Sequence, residues 1–198
     1  MVDKDFKLIV VTPENIVDFE SVLIMLMLDN GIDRVHLRHP GATADEIADL
    51  IFGIPQRLYH RLSLHDHHEL LRKFPSIWPH VNSRNPLTEG VKHYTRSCHD
   101  FDEANDDKDA DYCFVSPIFD SVSKIGYKSR FGIERLRQAS EHGLISSQMI
   151  ALGGVDPDKF PLLRELGFGG AAMLGYMWAD NDFANIIKRI NAAVHNSH

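Results

Sequence analysis

Three absences narrow the function of this chain before any motif is considered. No apolar run reaches the roughly 18 residues that a membrane-spanning helix needs, so we expect no membrane partner. Positive charge is in deficit, with a net charge of -7, which argues against binding to nucleic acid. Residues 1–5 are charged and lack the pattern of a secretory signal, so we expect a cytoplasmic location.

Cysteine is also scarce, and its positions predict a protein without disulfides. Cys98 and Cys113 lie in or beside predicted buried strands, where a thiol acts as a small hydrophobic group in a reducing compartment. The 198 residues are 43% hydrophobic and 25% charged, which suits a globular domain with a sizeable core. No change in composition marks a linker, so we predict a single domain over residues 1–198.

Runs typical of strands and helices alternate along the whole chain. The predicted strands span residues 6–12, 34–38, 61–65, 77–82, 91–97, 111–116, 148–152 and 169–174. The predicted helices span residues 16–29, 43–51, 67–73, 86–90, 101–108, 133–142, 157–166 and 182–194, and Thr43 and Glu46 form a capping box in the second. Eight such pairs, of about 25 residues each, predict an α/β fold, a single (β/α)8 TIM barrel with parallel strands. An open doubly wound sheet is the alternative, but it usually has a glycine-rich turn after its first strand, and residues 12–15 contain no glycine.

A polar loop at residues 116–126 follows the sixth predicted strand and can hold a phosphate. Lys124 supplies positive charge, and the hydroxyls of Ser121 and Ser123 donate directional hydrogen bonds. In TIM barrels the active site lies at the carboxyl ends of the strands, and phosphates often bind to the loops after strands seven and eight. Glycines follow both of those predicted strands, at Gly153, Gly154 and Gly175. We therefore expect phosphate binding at this end of the barrel.

Basic side chains follow the second, third and fifth predicted strands. Arg38 lies on the same strand face as His36 and suits bidentate binding of a phosphate or pyrophosphate, or else a surface ion pair. Residues 65–68, His-Asp-His-His, are the densest ionisable cluster, but neighbouring residues point in different directions. We therefore expect one or two of them to touch a substrate or Mg2+, and not all four to bind one transition metal. His99 is a candidate proton shuttle or a structural histidine.

Four segments occur in a fixed order along the chain. They are Val-His-Leu-Arg at 35–38, Ser-Cys-His at 97–99 with Glu-Ala at 103–104 and Ala-Asp-Tyr at 110–112, Ser-Pro-Ile-Phe at 116–119 with Ser-Val-Ser-Lys at 121–124, and Ile-Ala-Leu-Gly-Gly-Val at 150–155. In this order and at these spacings they resemble the motifs of the thiamin phosphate synthase and TenI family. The resemblance covers nearly the whole chain, from Leu8 to Ala193.

The resemblance implies a transferase of thiamin biosynthesis. Such an enzyme joins hydroxymethylpyrimidine pyrophosphate to a thiazole phosphate, uses Mg2+, and releases pyrophosphate. It implies that Arg38, Ser97 and Lys124 hold the pyrophosphate as catalytic residues, and that Asp66, together with Asn85, binds Mg2+. The expected substrate contacts are Ser121, Ser123, Gly153, Gly154, Leu174 and Gly175, to which we add His36 and His65.

The chain departs from the synthase motifs at three places. The family has Gln-x-Arg-x-Lys at strand two, whereas here Pro40 stands in place of the lysine. The asparagine of the pair after strand three is His65, and the second magnesium-binding aspartate is Asn85. Losing one cation and one carboxylate should weaken binding of pyrophosphate and Mg2+. The candidates to compensate are His39, Arg84 and His65.

Two other functions stay open beside the synthase. A TenI-type thiazole tautomerase would use His36, His65 or His99 as acid–base groups. Strand two and its helix look closer to that branch, but Pro117 stands where the tautomerases have a histidine. A non-catalytic binder of thiazole phosphate or thiamin phosphate is the third alternative. Related barrels are often oligomeric, so the resemblance also leaves a homo-oligomer open.

Overall fold

Eight parallel strands close into a barrel in the order in which they occur in the sequence. The computed structural model describes residues 6–119, 131–180 and 182–197. The strands are β1 (Lys7–Val11), β2 (Arg34–Leu37), β3 (Leu62–Leu64), β4 (Trp78–Val81), β5 (Thr95–Cys98), β6 (Tyr112–Val115), β7 (Met149–Leu152) and β8 (Gly170–Met173). β1 closes the barrel by pairing with β8, with Lys7 opposite Gly170. The predicted TIM barrel is confirmed, and the open doubly wound sheet is wrong.

Helices and short 3-10 turns connect the strands on the outside of the barrel. The α-helices of the described residues are α1 (Glu20–Asp29), α2 (Ala44–Phe52), α3 (Phe101–Asp106), α4 (Ile133–Glu141), α5 (Phe160–Glu165) and α6 (Phe183–Asn196). The 3-10 turns span Gln56–Arg61, His68–Arg72 and Pro157–Lys159. The predicted capping box is confirmed: Thr43 Oγ1 accepts a hydrogen bond from the Glu46 amide, and the Glu46 carboxylate accepts one from the Thr43 amide.

Several predicted element boundaries are wrong, for identifiable reasons. α1 begins at Glu20 instead of residue 16, because Phe19 has a φ of 58° and a right-handed helix cannot pass through it. His67 also has a φ of 58°, and only a 3-10 turn follows it where a helix was predicted for 67–73. Residues 86–90 contain no helix, and β5 begins at Thr95 instead of residue 91, because the Val91 amide turns back to the Thr88 carbonyl.

The inside of the barrel has an apolar side and a polar side. The apolar side is formed by Ile9, Val11, Phe114, Ile150 and Ala172, which pack into one cluster with Tyr112. Strands β2 to β5 instead contribute buried polar side chains, among them His36, Ser63, His80 and Thr95. Buried polar groups are costly unless they are hydrogen-bonded, so the polar side requires a connected network. No helix among the described residues is long and apolar enough to cross a membrane.

Candidate active site

Three histidines from neighbouring strands meet inside the barrel near its carboxyl end. His36 lies in β2, His65 directly follows β3, and His80 lies in β4. His36 and His80 are completely buried, and His65 is 7% exposed. One nitrogen from each of the three rings lies within 4.8 Å of the nitrogens from the other two. These three residues are called the histidine cluster below.

His36 connects the histidine cluster to the opposite wall of the barrel. Its Nδ1 lies 2.9 Å from Nε2 of His65, and its Nε2 lies 2.5 Å from the hydroxyl of Tyr112 in β6. Each ring nitrogen of His36 therefore has one hydrogen-bonding partner, as a buried imidazole requires. The chain of Tyr112, His36 and His65 runs from the barrel interior to the edge of the candidate site.

His80 is held by two hydroxyls of the neighbouring strand. Its Nδ1 lies 2.7 Å from Thr95 Oγ1, and its Nε2 lies 2.7 Å from Ser97 Oγ. The ring also stacks on His65, with 3.9 Å between the ring centroids. The predicted pyrophosphate contact Ser97 therefore has its hydroxyl positioned by a buried histidine. Ser97 itself is only half-buried, so it lies between the histidine cluster and the outside of the barrel.

Burial keeps the histidine cluster neutral. Desolvation lowers the pKa of His36 and of His65 well below the ordinary value, and the neighbouring histidines add to the effect. Burial lowers the pKa of His80 to about 3. Near pH 7 all three rings are therefore neutral imidazoles, each able to donate one proton, accept one hydrogen bond, or bind a metal through a free nitrogen lone pair.

The predicted magnesium residues, Asp66 and Asn85, are in direct contact. The side-chain amide of Asn85 donates to Asp66 Oδ1 at 2.9 Å and also to the His65 carbonyl at 2.9 Å. The other carboxylate oxygen, Asp66 Oδ2, is buried and accepts no hydrogen bond from the described residues. A buried carboxylate oxygen without a partner is suited to a hard cation such as Mg2+. Asp66 therefore fits the predicted role of a magnesium ligand, whereas the Asn85 amide nitrogen is engaged in holding Asp66.

The predicted phosphate loops lie at the same end of the barrel. Gly153 and Gly154 follow β7 with φ values of 94° and 62°, and Leu174 and Gly175 directly follow the adjacent strand β8. A side chain could not replace the hydrogen of Gly153, because its Cβ would lie 2.9 Å from Cα and Cβ of Pro117. The amide of Phe119 donates to the Gly153 carbonyl at 3.0 Å, which ties the start of the loop after β6 to β7. Ser121, Ser123 and Lys124 lie outside the described residues.

The predicted arginine Arg38 directly follows β2, two residues beyond His36. Its backbone amide donates to Thr12 Oγ1 at 2.8 Å, which fixes the end of β2 against the end of β1. The positive charge of Arg38 adds, after burial and the neighbouring histidines, to the lowering of the His65 pKa. Arg38 is half-buried.

Other histidines considered from the sequence point elsewhere. His67 contacts the Ala42 carbonyl and His68 the Leu64 carbonyl, so only His65 of residues 65–68 joins the cluster. His39 is completely buried with its Nε2 2.9 Å from the Glu20 carboxylate, and it does not replace the lost lysine as a cation facing substrate. His99 and Arg84 are exposed. The Glu103 carboxylate accepts a hydrogen bond from the backbone amide of His99.

His80, Thr95 and Tyr112 belong to the site but are not among the residues predicted from the sequence. Most predicted site residues follow the ends of strands, whereas these three lie within strands. The alternation of side chains along a strand was the signal that could have found them. His80 lies two residues before Asn82, and Thr95 lies two residues before Ser97, so each pair shares a strand face. Polar residues at every second position of neighbouring strands indicate a polar interior, because that face of a TIM barrel points inward.

Comparison with known families places the chain among thiamin biosynthetic proteins. The family model described as thiamine monophosphate synthase matches residues 8–176, which include every strand after the first residue of β1. The thiamine-phosphate synthase of Syntrophomonas wolfei is 24% identical, and the alignment covers 96% of this chain and 97% of that protein. The thiamine-phosphate synthase of Mannheimia succiniciproducens is 33% identical over 44% of this chain and 40% of its own length.

Solved structures of thiamine phosphate pyrophosphorylases are also similar to this chain. The thiamine phosphate pyrophosphorylase of Bacteroides thetaiotaomicron has a TM-score of 0.85 and 31% identity, covering 97% of this chain and 98% of that one. The thiamine phosphate pyrophosphorylase of Pyrococcus furiosus has a TM-score of 0.75 at 16% identity, with 98% of this chain and 96% of that chain covered, and supports the fold alone.

Proposed function

We propose that this chain, which belongs to the thiamine monophosphate synthase family, joins hydroxymethylpyrimidine pyrophosphate to a thiazole phosphate and releases pyrophosphate. One observation carries the proposal: the family match over residues 8–176 includes the carboxyl ends of all eight strands, and so every described candidate residue of the site. Both substrates are small phosphorylated molecules, and an arginine, a carboxylate and several glycines follow the carboxyl ends of the strands in the described part of the site.

The residues of the chain divide between holding the substrates and stabilising the leaving group. The Arg38 guanidinium is suited to bidentate binding of the pyrophosphate oxygens, and the Ser97 hydroxyl, fixed by His80, donates a further hydrogen bond. Backbone amides at Gly153, Gly154, Leu174 and Gly175 would bind the thiazole phosphate. Holding both substrates in line accounts for much of the catalysis in such a reaction, because little covalent chemistry is left for the protein.

Mg2+ would be held by Asp66, whose Oδ2 has no hydrogen-bonding partner among the described residues. When bound, the ion would neutralise charge on the departing pyrophosphate. Asn85 orients the Asp66 carboxylate through Oδ1 and so leaves Oδ2 directed away from it. Lys124 on the pyrophosphate, and Ser121 and Ser123 on the thiazole phosphate, stay predictions from the family motif.

The test is a direct synthase assay. The purified chain is mixed with both phosphorylated substrates and Mg2+, and thiamin phosphate is measured after oxidation to its fluorescent thiochrome. Reactions that omit one substrate or contain EDTA are the controls. We expect product only in the complete mixture. Product absent even with enzyme in excess over substrate would reject the proposal.

A thiazole tautomerase is the second candidate, and the contact between His36 and His65 favours it. A neutral His65 imidazole can accept a proton from one carbon of the substrate and return it to another, and the hydrogen bond to His36 would hold the His65 ring in place for both transfers. Turnover of the thiazole phosphate carboxylate without pyrophosphate substrate would identify this activity. It should be abandoned if His36→Gln and His65→Asn leave the tautomer rate unchanged. Calorimetric binding of thiazole phosphate with neither reaction detectable would instead indicate a non-catalytic binder.

We further propose that the chain works in the cytoplasm on small molecules, and not on nucleic acid. Cys98 and Cys113 are buried free thiols, which suits a reducing compartment. The net charge of -7 opposes association with nucleic acid. Light scattering after size-exclusion chromatography would decide whether the chain forms a homo-oligomer.

A further inference from the structure

The histidine cluster has a composition that the proposed synthase reaction does not require. That reaction calls for hydrogen-bond donors and a magnesium carboxylate, and Mg2+ prefers oxygen ligands. His36, His65 and His80 instead bring three imidazoles together on the polar side of the barrel interior, opposite its apolar side. Imidazole is a preferred ligand of zinc, copper, nickel and iron.

We infer that His36, His65 and His80 form a three-nitrogen binding site for a divalent transition metal such as Zn2+. The site is distinct from the magnesium carboxylate Asp66, and it does not depend on the proposed synthase activity. Catalytic zinc sites commonly have three protein ligands and a fourth position left for water or substrate. Here the fourth position would face the carboxyl end of the barrel, where His65 directly follows β3 and Ser97 is half-buried.

The three nitrogens lie close enough for such a site, but the His65 and His80 rings are stacked, with 3.9 Å between their centroids, so at least one of the two rings must rotate before both can bind one ion. His36 Nδ1 and His65 Nε2 are already 2.9 Å apart, and a nitrogen of His80 lies within 4.8 Å of both other rings. A tetrahedral zinc ion with bonds of roughly 2.0–2.1 Å places its nitrogen ligands about 3.3 Å apart. Besides that rotation, the His36 and His65 nitrogens must separate slightly and the His80 nitrogen must approach by roughly 1.5 Å at most; if His80 binds through Nε2, it exchanges its contact with Ser97 for the metal.

The hydrogen bonds around the histidine cluster match those of metal-binding histidines. A metal-bound imidazole almost always donates its other N–H to a nearby acceptor, which fixes the orientation of the ring. If His36 binds through Nδ1, its Nε2–H can donate to the Tyr112 hydroxyl. If His80 binds through Nε2, its Nδ1–H can donate to Thr95 Oγ1. Two of the three ligands are thus already oriented by an acceptor on the far side of the ring.

The protonation state of the rings is also the one that binds metal. All three rings are buried, and their hydrogen-bonding partners among the described residues are neutral hydroxyls and imidazoles, an environment that favours the neutral, metal-binding form of the ring. The site presents no carboxylate ligand of its own, so a bound zinc ion would keep its full double charge. An anion such as a phosphate oxygen or hydroxide is therefore the expected fourth ligand.

The experiment measures zinc binding to the full chain produced without a histidine tag. Protein stripped with EDTA and returned to metal-free buffer is titrated with Zn2+ against a chromophoric competitor, with and without excess Mg2+. The wild type should bind one zinc per chain, and Mg2+ should not displace it, because Mg2+ prefers oxygen ligands. Replacing zinc with Co2+ should give the intense visible bands of a tetrahedral site with nitrogen ligands.

Single substitutions test whether the zinc ion is bound by the histidine cluster. His80→Gln and His36→Gln should each weaken binding more than about 100-fold, whereas Thr95→Val, which removes only the acceptor behind His80, should weaken it about tenfold. His93→Gln and His142→Gln remove exposed histidines and are the matched controls, expected to bind as the wild type does. Circular dichroism and thermal melting of the metal-free variants establish that each has folded.

Three results would overturn the inference. They are no zinc bound by the wild type, unchanged binding after both cluster substitutions, or loss of binding in the surface controls. If His80→Gln fails to fold, X-ray absorption of the zinc-loaded wild type decides the matter. Three imidazoles in the first coordination sphere support the site, and an oxygen-only sphere rejects it. None of these measurements uses substrate, so failure of the synthase assay would not affect them.

Discussion

The side-chain amide of Asn85 donates a hydrogen bond of 2.9 Å to Asp66 Oδ1, across the carboxyl ends of β3 and β4. The family motif has a second aspartate at position 85, so a neutral amide occupies the place of a carboxylate. The amide N–H of Asn85 donates to Asp66 and so holds it in place. An ionised carboxylate at position 85 could only accept hydrogen bonds, so a cation or a shared proton would have to lie between the two acids. This one contact sets how the site should respond to Mg2+.

Asn85→Asp should convert the amide contact into a pair of magnesium ligands. Without Mg2+, two adjacent carboxylates replace a hydrogen bond, and we expect stability to fall by about 1–2 kcal/mol. With Mg2+, the added charge should tighten binding about tenfold and restore the melting temperature. Thermal melts with EDTA and with a series of Mg2+ concentrations check both parts.

Asn82→Asp is the matched control, since it adds the same charge to the same loop. Asn82 Oδ1 accepts from the backbone amides of Arg84 and Asn85, and an aspartate can do the same. Its melting temperature should not depend on Mg2+. Equal responses of the two variants to Mg2+ would refute the assignment of Asp66 as the magnesium ligand.

Arg38→Lys should impair the synthase reaction although it keeps the positive charge. Lysine cannot reproduce the planar pair of donors that binds two phosphate oxygens at once. Loss of one charge-assisted hydrogen bond costs roughly 1.5–3 kcal/mol, so kcat/KM for the pyrophosphate substrate should fall about 10–100-fold. Steady-state kinetics with each substrate varied in turn would locate the effect, and KM for the thiazole phosphate should change little.

Arg137→Lys provides the comparison for Arg38, because it makes the same substitution in an exposed ion pair with Glu165. Its kinetics should equal those of the wild type. Arg38→Lys with wild-type kcat/KM would remove Arg38 from the pyrophosphate site.

Much of the fold could be predicted because the required signals are local. Alternating runs gave eight strand–helix units, and Thr43 with Glu46 marked the start of α2 correctly. The predicted helix start at residue 16 and the predicted helix at 67–73 are wrong because Phe19 and His67 have a left-handed backbone conformation. At a non-glycine residue such a conformation is set by tertiary packing and cannot be predicted locally. The bond between Asn85 and Asp66 joins residues 19 positions apart and could not be read from either residue alone.

The histidine cluster shows more clearly which contacts cannot be predicted from the sequence. His65 was singled out for its histidine neighbours in sequence, yet its actual partners are His36 and His80, each on a different strand. Barrel closure and strand register bring these rings together, and neither follows from spacing along one segment. Reading inward positions across neighbouring strands, rather than along one loop, would have found His80.

Gly153→Ala should disturb the contact between the loop after β6 and the end of β7. Alanine at a φ of 94° is strained, and its Cβ would lie 2.9 Å from Pro117. Backbone strain and overpacking together should cost about 2–4 kcal/mol of unfolding free energy. Urea denaturation measures this loss. Gly41→Ala is the control, since a Cβ there meets nothing within 4 Å, and a similar loss in both variants would contradict the steric explanation.

Arg34→Lys should destabilise the opposite end of the barrel without touching the candidate site. The Arg34 guanidinium donates to the carbonyls of Leu62 and His60 and lies 3.5 Å from the ring centroid of Trp78. A lysine cannot make both hydrogen bonds and stack on the indole, so we expect a loss of about 2–3 kcal/mol in urea denaturation.

Arg57→Lys tests whether any arginine-to-lysine change would have the same effect. Arg57 forms a two-pronged pair with Asp29 at the surface, where its side chain is 59% exposed. A pair of this kind contributes little, so the loss should stay within about 0.5 kcal/mol. Comparable losses at Arg34 and Arg57 would mean that burial of the guanidinium is not the cause.

The metal-free protein should lose stability as the pH falls below 6.5, and His80 should account for part of the loss. The pKa of His80 is about 3 in the folded chain against an ordinary value of 6.5. Between those values the unfolded chain binds a proton that the folded chain does not, so the free energy of unfolding decreases as the pH falls. One such histidine changes the free energy of unfolding by about 1.4 kcal/mol per pH unit between these two pKa values, and above pH 6.5 none of this stability is lost.

Urea denaturation in EDTA at intervals from pH 6.5 to pH 5 measures the slope, in a range where ordinary carboxylates are still ionised. His80→Gln should reduce the slope by about 1.4 kcal/mol per pH unit, because one proton fewer is taken up on unfolding. Ile150→Val, in the apolar side of the same barrel, should lower stability by about 1 kcal/mol at every pH and leave the slope unchanged. An unchanged slope in His80→Gln would mean that the His80 ring is already protonated in the folded barrel, and a cationic ring has no lone pair to offer a metal.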